Sequence, residues 1–236
     1  MTTTAWDDPR IARGMTAQLA ARRARIDRGE TPLGWKVGFG APAAMAKFNI
    51  TGPLIGYLMQ RALVPSGAAA SLTGWVKPIA EPEIAVHLGT DLPADGSREA
   101  AAAAIAALGP AIELADADLP FDDPEAILKG NIFQRHVVLG PKDTSRAGGK
   151  VSGLLGRVHR NGTETARTSE VEANTGAIVG IVRHVADVLP HFGERLRAGD
   201  IIICGSIVPP IFLGADDARL DYALDPVGEV AVSFTR

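Results

Sequence analysis

The order of helix-like and strand-like segments along the chain constrains its fold more than any other feature. Caps followed by proline or alanine predict helices at residues 8–29, 41–48, 97–109, 122–130 and 175–193. β-branched or alternating runs predict strands at 34–40, 135–140, 149–160, 200–208 and 228–234, and Asn161-Gly162 is typical of a hairpin turn. Because these segments do not alternate as in a doubly wound sheet, the sequence predicts an α+β fold.

A cluster of small residues, PSGAAASLTGW at 65–75, is the most plausible boundary within the chain. We therefore expect a small N-terminal α/β lobe over residues 1–70. A larger body, rich in antiparallel or mixed strands, should follow over residues 71–236. The 236 residues are enough to bury a core without disulfides.

Composition and charge exclude several classes of protein. The net charge of −3 gives no electrostatic reason to expect a nucleic acid or an anionic membrane as partner. No apolar run approaches the roughly 20 residues that span a bilayer, and the first residues have no signal-peptide pattern. The one cysteine, Cys204, precludes an internal disulfide and suits a reducing compartment. We expect a cytoplasmic protein.

Two glutamates flank a proline at the start of an apolar, strand-like stretch, PIAEPEIAVHLG at 78–89. In a strand, Glu81 and Glu83 would project from the same face, and Pro82 would require an edge, a start or a bulge. A third acid, Glu113, lies between Ile112 and Leu114 in a similar apolar setting. Three facing carboxylates would favour Mg²⁺ or Mn²⁺ over zinc. By spacing alone, glutamates near strand ends are more often solvated or paired with Arg or Lys.

Six stretches, in this order, resemble the family of 2-keto-4-pentenoate hydratases and 4-oxalocrotonate decarboxylases within the fumarylacetoacetate hydrolase superfamily. They are GWKVGFG (34–40), EPEIAVHLG (81–89), PAIELADADL (110–119), NIFQRHVVLG (131–140), the Asn161-Gly162 turn and LRAGDIIICGSIV (196–208). The resemblance covers roughly residues 33 to 234. It implies a small α/β lobe on a mixed β-roll body, in a homo-oligomer that could also associate with a related hydratase or decarboxylase.

The resemblance also implies roles for particular residues. Glu81, Glu83 and Glu113 fall on the metal ligands of the family, with Mg²⁺ or Mn²⁺ as the cofactor. Lys36 falls on its catalytic lysine, for which the plain alternative is a surface lysine. The implied substrate-binding residues are Asn131, Gly205 and Ser206, although Gly205 could equally serve only a bulge.

The activity that the resemblance implies is a divalent-metal-dependent hydro-lyase. Its substrate would be a small 2-keto-4-enoic (2-hydroxydienoic) acid, which would react through a metal-bound enolate. A 2-keto acid decarboxylase, an acylpyruvate C–C hydrolase and a non-catalytic homologue remain as alternatives. The chain departs from the family pattern in having no acid directly before Pro53 and no Gly-x-Pro stretch in VGIVRHVADVL (179–189).

Overall fold

The computed structural model describes residues 5–236, which form five α-helices and thirteen strands. The helices are α1 (Pro9–Asp27), α2 (Pro42–Phe48), α3 (Arg98–Ala104), α4 (Pro124–Lys129) and α5 (Ile178–Val188). The strands before the middle of the chain are β1 (Pro32–Gly38), β2 (Leu54–Met59), β3 (Leu63–Val64), β4 (Ala69–Ser71), β5 (Pro78–Leu88) and β6 (Ile105–Asp116). The later strands are β7 (Gln134–Leu139), β8 (Leu155–Arg160), β9 (Thr163–Thr168), β10 (Ile201–Ser206), β11 (Ile211–Phe212), β12 (Arg219–Asp225) and β13 (Gly228–Thr235).

The strands form two sheets, which confirms the predicted α+β class. The larger sheet has eight strands in the order β2-β1-β10-β5-β6-β7-β3, with β11 paired to β5. It is mixed, since β1 runs parallel to β10 but antiparallel to β2. The smaller sheet has the order β4-β13-β12-β8-β9. Strands from both sides of residue 70 share the larger sheet, and a division into two lobes at that residue stays a prediction.

The first helix begins where its sequence indicates. Asp8 caps it by accepting a hydrogen bond from the backbone N–H of Arg10 at 2.8 Å, and Pro9 occupies the first turn. Gly14 allows α4 to approach closely, because a Cβ at this position would lie 2.7 Å from the Cβ of Leu128. The helix packs in this way against α4.

Three segment predictions need correction, and some strands were not predicted. The predicted helix at 97–109 is capped by Ser97 but ends at Ala104, because the β-branched Ile105 begins the long strand β6, which pairs with β5. The predicted strand at 149–160 begins only at Leu155, after a loop in which Gly149 and Gly153 adopt left-handed conformations. The predicted helix at 175–193 is helical from Ile178. Strands β2 and β12 were not predicted.

Pro82 lies where its strand changes partner. On one side it pairs with Ile112 of β6, and on the other side the partner of β5 changes from β10 to β11. The backbone N–H of Ile207, in the intervening segment, donates to the carbonyl of Pro82 at 2.9 Å. A residue without an N–H is therefore tolerated inside the sheet, as a bulge-like interruption.

One face of the larger sheet carries the predicted site. Side chains two residues apart in a strand share a face, so Ala85 lies on the face of Glu83, and Ala111 on the face of Glu113. These alanines belong to a small buried apolar cluster, separate from the main core, that also contains Leu33, Leu58, Val137, Ile201 and Ile203. The positions next to the acids on this face of the sheet are therefore apolar. These apolar side chains exclude water from the neighbourhood of the acids.

Candidate metal centre and substrate cavity

The three predicted metal ligands lie together. Glu81 and Glu113 are register partners on the antiparallel strands β5 and β6, and Glu83 follows two residues along β5. Each of the three offers a carboxylate oxygen, and these oxygens all lie within 4.8 Å of one another. Oxygen donors at this spacing suit a hard divalent cation such as Mg²⁺.

The hydrogen bonds of the three acids leave room for such an ion. Glu83 and Glu113 are completely buried. One carboxylate oxygen of Glu83 accepts from the backbone N–H of Gly205 at 2.6 Å, but its Oε1 and the Oε2 of Glu113 have no hydrogen-bond partner. Buried anionic oxygens without partners are costly. Three carboxylates and the single ammonium of Lys36 leave two negative charges, which a divalent cation would neutralise.

Neighbouring carboxylates in this cluster make the ionised forms of Glu81 and Glu83 less favourable. Burial, together with the nearby Glu113, raises the pKa of Glu81 to about 7, although Lys36 opposes this rise. Burial and the two neighbouring carboxylates raise the pKa of Glu83 well above its ordinary value. Clustered acids with raised pKa values are typical of functional sites, where a bound cation would favour their charged forms.

Lys36 is not a surface lysine. Its side chain lies on β1 and is only 1% exposed. The ammonium group donates to a carboxylate oxygen of Glu113 and, at 3.2 Å, to the main-chain carbonyl of Ile132. An ammonium has three N–H donors, so one remains for a third acceptor. Lys36 also lines the cavity described below, where that acceptor could be a bound acid.

The carbonyl that receives Lys36 belongs to an unusual turn. Asn131, Ile132 and Phe133 have φ angles of 54°, 52° and 63°, so three successive non-glycine residues adopt the left-handed conformation. This conformation costs about 1–2 kcal/mol for each such residue and persists only where the surroundings fix it. The turn directs the carbonyl of Ile132 at Lys36 and places Ile132 and Phe133 in the cavity wall.

Asn131 holds this turn in place. Its carboxamide nitrogen donates to the carbonyl of Tyr57 at 3.0 Å, and its oxygen accepts from the N–H of Tyr57 at 2.8 Å and from the side chain of Gln18 at 3.1 Å. Asn131 is 8% exposed and is not among the residues that line the cavity. Its predicted contact with substrate stays a prediction, and its observed contacts are all with protein groups.

Gly205 and Ser206 both line the cavity. Gly205 has a φ of 89°, in the left-handed region, and a Cβ there would lie 3.1 Å from the side chain of Thr175. This conformation aims its N–H at Glu83. The hydroxyl of Ser206 donates weakly to the carbonyl of Pro82 at 3.4 Å. Gly205 thus positions a carboxylate, and it lies at the bulge that interrupts the β5–β10 pairing.

Two further polar residues line the cavity and were not predicted. Asn174 donates from its side chain to the carbonyl of Ser206 at 2.7 Å, and Thr175 follows it. Both lie in a turn before α5, whereas the sequence predicted that the helix would begin at residue 175. An Asn-Thr-Gly sequence before an apolar helix is a turn signal that could have identified this loop.

Glu81, together with Lys36, lines a cavity of about 470 Å³. Its charged lining residues, among those that the structure describes, are Lys36, Lys47 and Glu81, and no histidine from residues 5–236 lines it. Cys204 contributes to the wall, but burial raises the pKa of its thiol well above the ordinary value, so it is not a ready nucleophile. Most of the remaining wall is apolar.

Comparison with known proteins places this site in a family. The model of the fumarylacetoacetate (FAA) hydrolase C-terminal family matches residues 36–232, a span that begins at Lys36 and includes all three glutamates. The chain belongs to the fumarylacetoacetate hydrolase C-terminal family. The part of the chain that the structure describes contains no helix long and apolar enough to cross a membrane.

Curated relatives of the chain are named for two different reactions, hydration and decarboxylation. A 2-hydroxyhexa-2,4-dienoate hydratase from Comamonas testosteroni is 28% identical over 220 residues, which cover 90% of this chain and 82% of the relative. A 4-oxalocrotonate decarboxylase from a Pseudomonas species is 30% identical over 196 residues, which cover 80% of this chain and 73% of the relative. The predicted resemblance to hydratases and decarboxylases is confirmed.

The predicted fold is also confirmed by a solved structure. The 4-oxalocrotonate decarboxylase from Pseudomonas putida G7, complexed with magnesium and adipate, superposes with a TM-score of 0.86 at 23% identity. The match covers 95% of this chain and 86% of that one. At this level of identity the similarity establishes the fold of the fumarylacetoacetate hydrolase family for nearly the whole chain.

Proposed function

We propose that the protein is a divalent-metal-dependent hydro-lyase that adds water to a 2-hydroxydienoic acid, the enol form of a 2-keto-4-enoic acid. The observation that carries the proposal is the cluster of three glutamates beside a buried lysine, in which two of the glutamates are fully buried and have an oxygen without a partner. The glutamates would hold Mg²⁺ or Mn²⁺. The name of the hydratase from Comamonas testosteroni supports this reaction, and the magnesium in the solved neighbour supports the choice of ion.

A bound divalent ion would supply Lewis-acid stabilisation for the negative charge that develops on the keto oxygen of the substrate. The protein's own groups supply binding and proton transfer. Lys36, with one unused donor, is placed to bind a substrate oxygen or to deliver a proton from its ammonium nitrogen. The apolar walls exclude water from around these charges, which strengthens every interaction with them.

Loss of the ultraviolet absorbance of 2-hydroxypenta-2,4-dienoate tests the proposal. We expect loss of the signal with Mg²⁺ or Mn²⁺, none with EDTA, and none with Glu83→Gln. Glu229→Gln, which changes an exposed glutamate on another strand, is the matched control and should retain the wild-type rate. Turnover that persists in EDTA and in Glu83→Gln would contradict the proposal.

Thermal stability provides a second readout that does not depend on finding the right substrate. A metal that binds only the folded protein stabilises it by about 2.7 kcal/mol at a concentration of 100 times its Kd. Mg²⁺ should therefore raise the melting temperature of the wild type and of Glu229→Gln, but not that of Glu83→Gln. A non-catalytic homologue without a metal site would show no such shift in any of the three proteins.

Decarboxylation of a 2-keto-dioate is the second candidate, because the relative at 30% identity is named a 4-oxalocrotonate decarboxylase. Metal-dependent release of CO₂ from 4-oxalocrotonate, without loss of the dienoate signal, would favour it. The acylpyruvate hydrolase alternative has less support, because no described histidine lines the cavity to act as the base for a hydrolytic water.

A further inference from the structure

Aromatic side chains form part of the cavity wall. Five phenylalanines line the cavity, namely Phe39, Phe48, Phe121, Phe133 and Phe212. We refer to the first four as the phenylalanine cluster. Phe39 lies at its centre, with its ring centroid 5.1 Å from that of Phe48 and 6.0 Å from that of Phe121. Phe121 also packs edge-on against Phe133, with the centroids 5.4 Å apart.

The backbone around the phenylalanine cluster is strained. Phe39 and Phe133 have φ angles of 57° and 63°, a left-handed conformation that bulky side chains rarely adopt. Neither residue is a glycine, asparagine or aspartate, which tolerate this region best. Strain of this kind collects at binding and catalytic sites. The fold therefore accepts a conformational cost at two of the positions that present aromatic rings to the cavity.

Charged groups are scarce in the described cavity wall. Apart from Lys36 and Glu81, Lys47 is the charged residue in the described lining. Lys47 is exposed, and its ammonium lies 5.8 Å from the ring centroid of Phe48. Lys77, also exposed, lies 4.7 Å from the ring centroid of Phe212. A carboxylate at the far end of a substrate would meet only these solvated cations, which contribute little.

We propose that the substrate carries a bulky apolar substituent, such as a phenyl group or a long hydrocarbon chain, at the end remote from its keto acid. The substituent would pack against the phenylalanine cluster and Phe212, while the keto acid binds beside the glutamates and Lys36. The inference rests on the proposed function, because it assumes that a 2-keto acid binds at the acids. The cavity volume of about 470 Å³ agrees with it, since pockets for drug-sized ligands hold about 300–1,000 Å³.

Calorimetric titration with three unreactive saturated 2-oxo acids, in the presence of Mg²⁺, tests this inference. The probes are 2-oxopentanoate, 2-oxo-6-phenylhexanoate and 2-oxoadipate, which differ in having a short, an aromatic or a carboxylate tail. We expect the phenyl compound to bind at least about tenfold more tightly than either of the others. An affinity difference of this size is typical for the burial of one or two apolar groups.

Variants locate the preference within the cavity. Phe121→Gln and Phe212→Gln should each lower the preference for the phenyl compound. Their affinity for 2-oxopentanoate should stay at the wild-type value. Phe212 is 50% exposed, so its substitution spares the core even if Phe121→Gln folds poorly. Phe192→Gln, at a half-buried phenylalanine that does not line the cavity, is the matched control and should keep the wild-type preference.

Two results would overturn the inference without touching the proposed function. One is equal affinity for all three acids. The other is tightest binding of 2-oxoadipate, lost in the double variant Lys47→Gln/Lys77→Gln, which would assign a dicarboxylate substrate instead. If none of the three acids binds with Mg²⁺ present, the proposed function itself fails.

Discussion

The side-chain amide of Gln18, in the middle of α1, donates to the carboxamide oxygen of Asn131 at 3.1 Å and to the carbonyl of Ile55 at 3.0 Å. Gln18 is 1% exposed, so this contact lies inside the protein. Asn131 begins the left-handed turn whose Ile132 carbonyl accepts from Lys36. Two hydrogen bonds, joined through the backbone of residues 131–132, therefore link the first helix to the lysine beside the acids.

Asn131→Asp should show whether Asn131 positions Lys36 or contacts the substrate itself. The substitution keeps an acceptor for the N–H of Tyr57 but loses the donor to the Tyr57 carbonyl, which leaves a buried oxygen unpaired at a cost of about 1–3 kcal/mol. We expect a lower melting temperature and a lower kcat, with KM little changed, because Lys36 loses its fixed position. A substrate-contacting Asn131 would instead change KM most.

Gln18→Ala is the companion variant. It removes a donor to Asn131 without altering any cavity-lining residue. We expect a smaller reduction of kcat in the same direction, and Gln60→Ala, at an exposed glutamine, should have no effect. Steady-state kinetics on the same dienoate measures both. A wild-type kcat in Gln18→Ala would show that the helix does not influence the lysine.

Lys36→Met should damage both stability and activity. The change removes the ammonium that pairs with the fully buried Glu113, and breaking a buried pair from one side typically costs about 3–5 kcal/mol. We expect this loss to be smaller when Mg²⁺ is present, since the cation would compensate the carboxylates in place of the lysine. Denaturant unfolding with Mg²⁺ and with EDTA measures the difference.

Activity should fall by at least about a hundredfold in Lys36→Met even when the protein is saturated with Mg²⁺, as expected for loss of a proton donor. Lys47→Met, at the exposed lysine of the same cavity, is the matched control for charge and should remain active and stable. Equal kcat values in the two variants would remove Lys36 from the reaction.

The sequence alone predicted the acids because strand periodicity is local. Glu81 and Glu83 are two positions apart, so any strand places them on one face. Glu113 was noted for its apolar neighbours, and the family resemblance gave it the role of a third ligand. The left-handed turn at 131–133 could not be predicted, because Ile132 and Phe133 disfavour that conformation and only Asn131 tolerates it. It depends on Tyr57 and Gln18, which are distant in sequence.

In the alanine-rich segment, a local propensity predicted a longer helix than the one that forms. Alanine favours helices, and residues 97–104 form one, but the chain from Ile105 onward pairs with β5 along its whole length. Tertiary pairing therefore overrides a propensity that extends only a few residues. Glu113 reaches the site as a result of this change, since its position opposite Glu81 requires a strand.

Gly205→Ala should disrupt the site through the backbone. The φ of 89° is unfavourable for alanine by about 1–2 kcal/mol, and its Cβ would press on Thr175 at 3.1 Å. The N–H that Gly205 donates to Glu83 would then shift, so we expect weaker binding of Mg²⁺ by calorimetry. Gly205→Ala/Thr175→Ser removes the Cγ2 contact and should recover part of the loss, because the contact but not the strained φ is relieved. No recovery would show that the backbone conformation alone is responsible.

Acid should destabilise the protein partly through His87, which lies on β5 away from the acids. Burial lowers the pKa of His87 to about 4, with a smaller contribution from Lys142, and its Nε2 has no hydrogen-bond partner. The unfolded chain takes up a proton as the pH falls through about 6.5, while the folded chain resists until about pH 4. The stability present above pH 6.5 is therefore lost progressively between these values, by at most about 1.4 kcal/mol per pH unit.

His87→Gln should flatten the melting-temperature profile between pH 6.5 and 4, whereas His191→Gln, at an exposed histidine, should leave it unchanged. A profile equally steep in His87→Gln would assign the acid sensitivity to other groups.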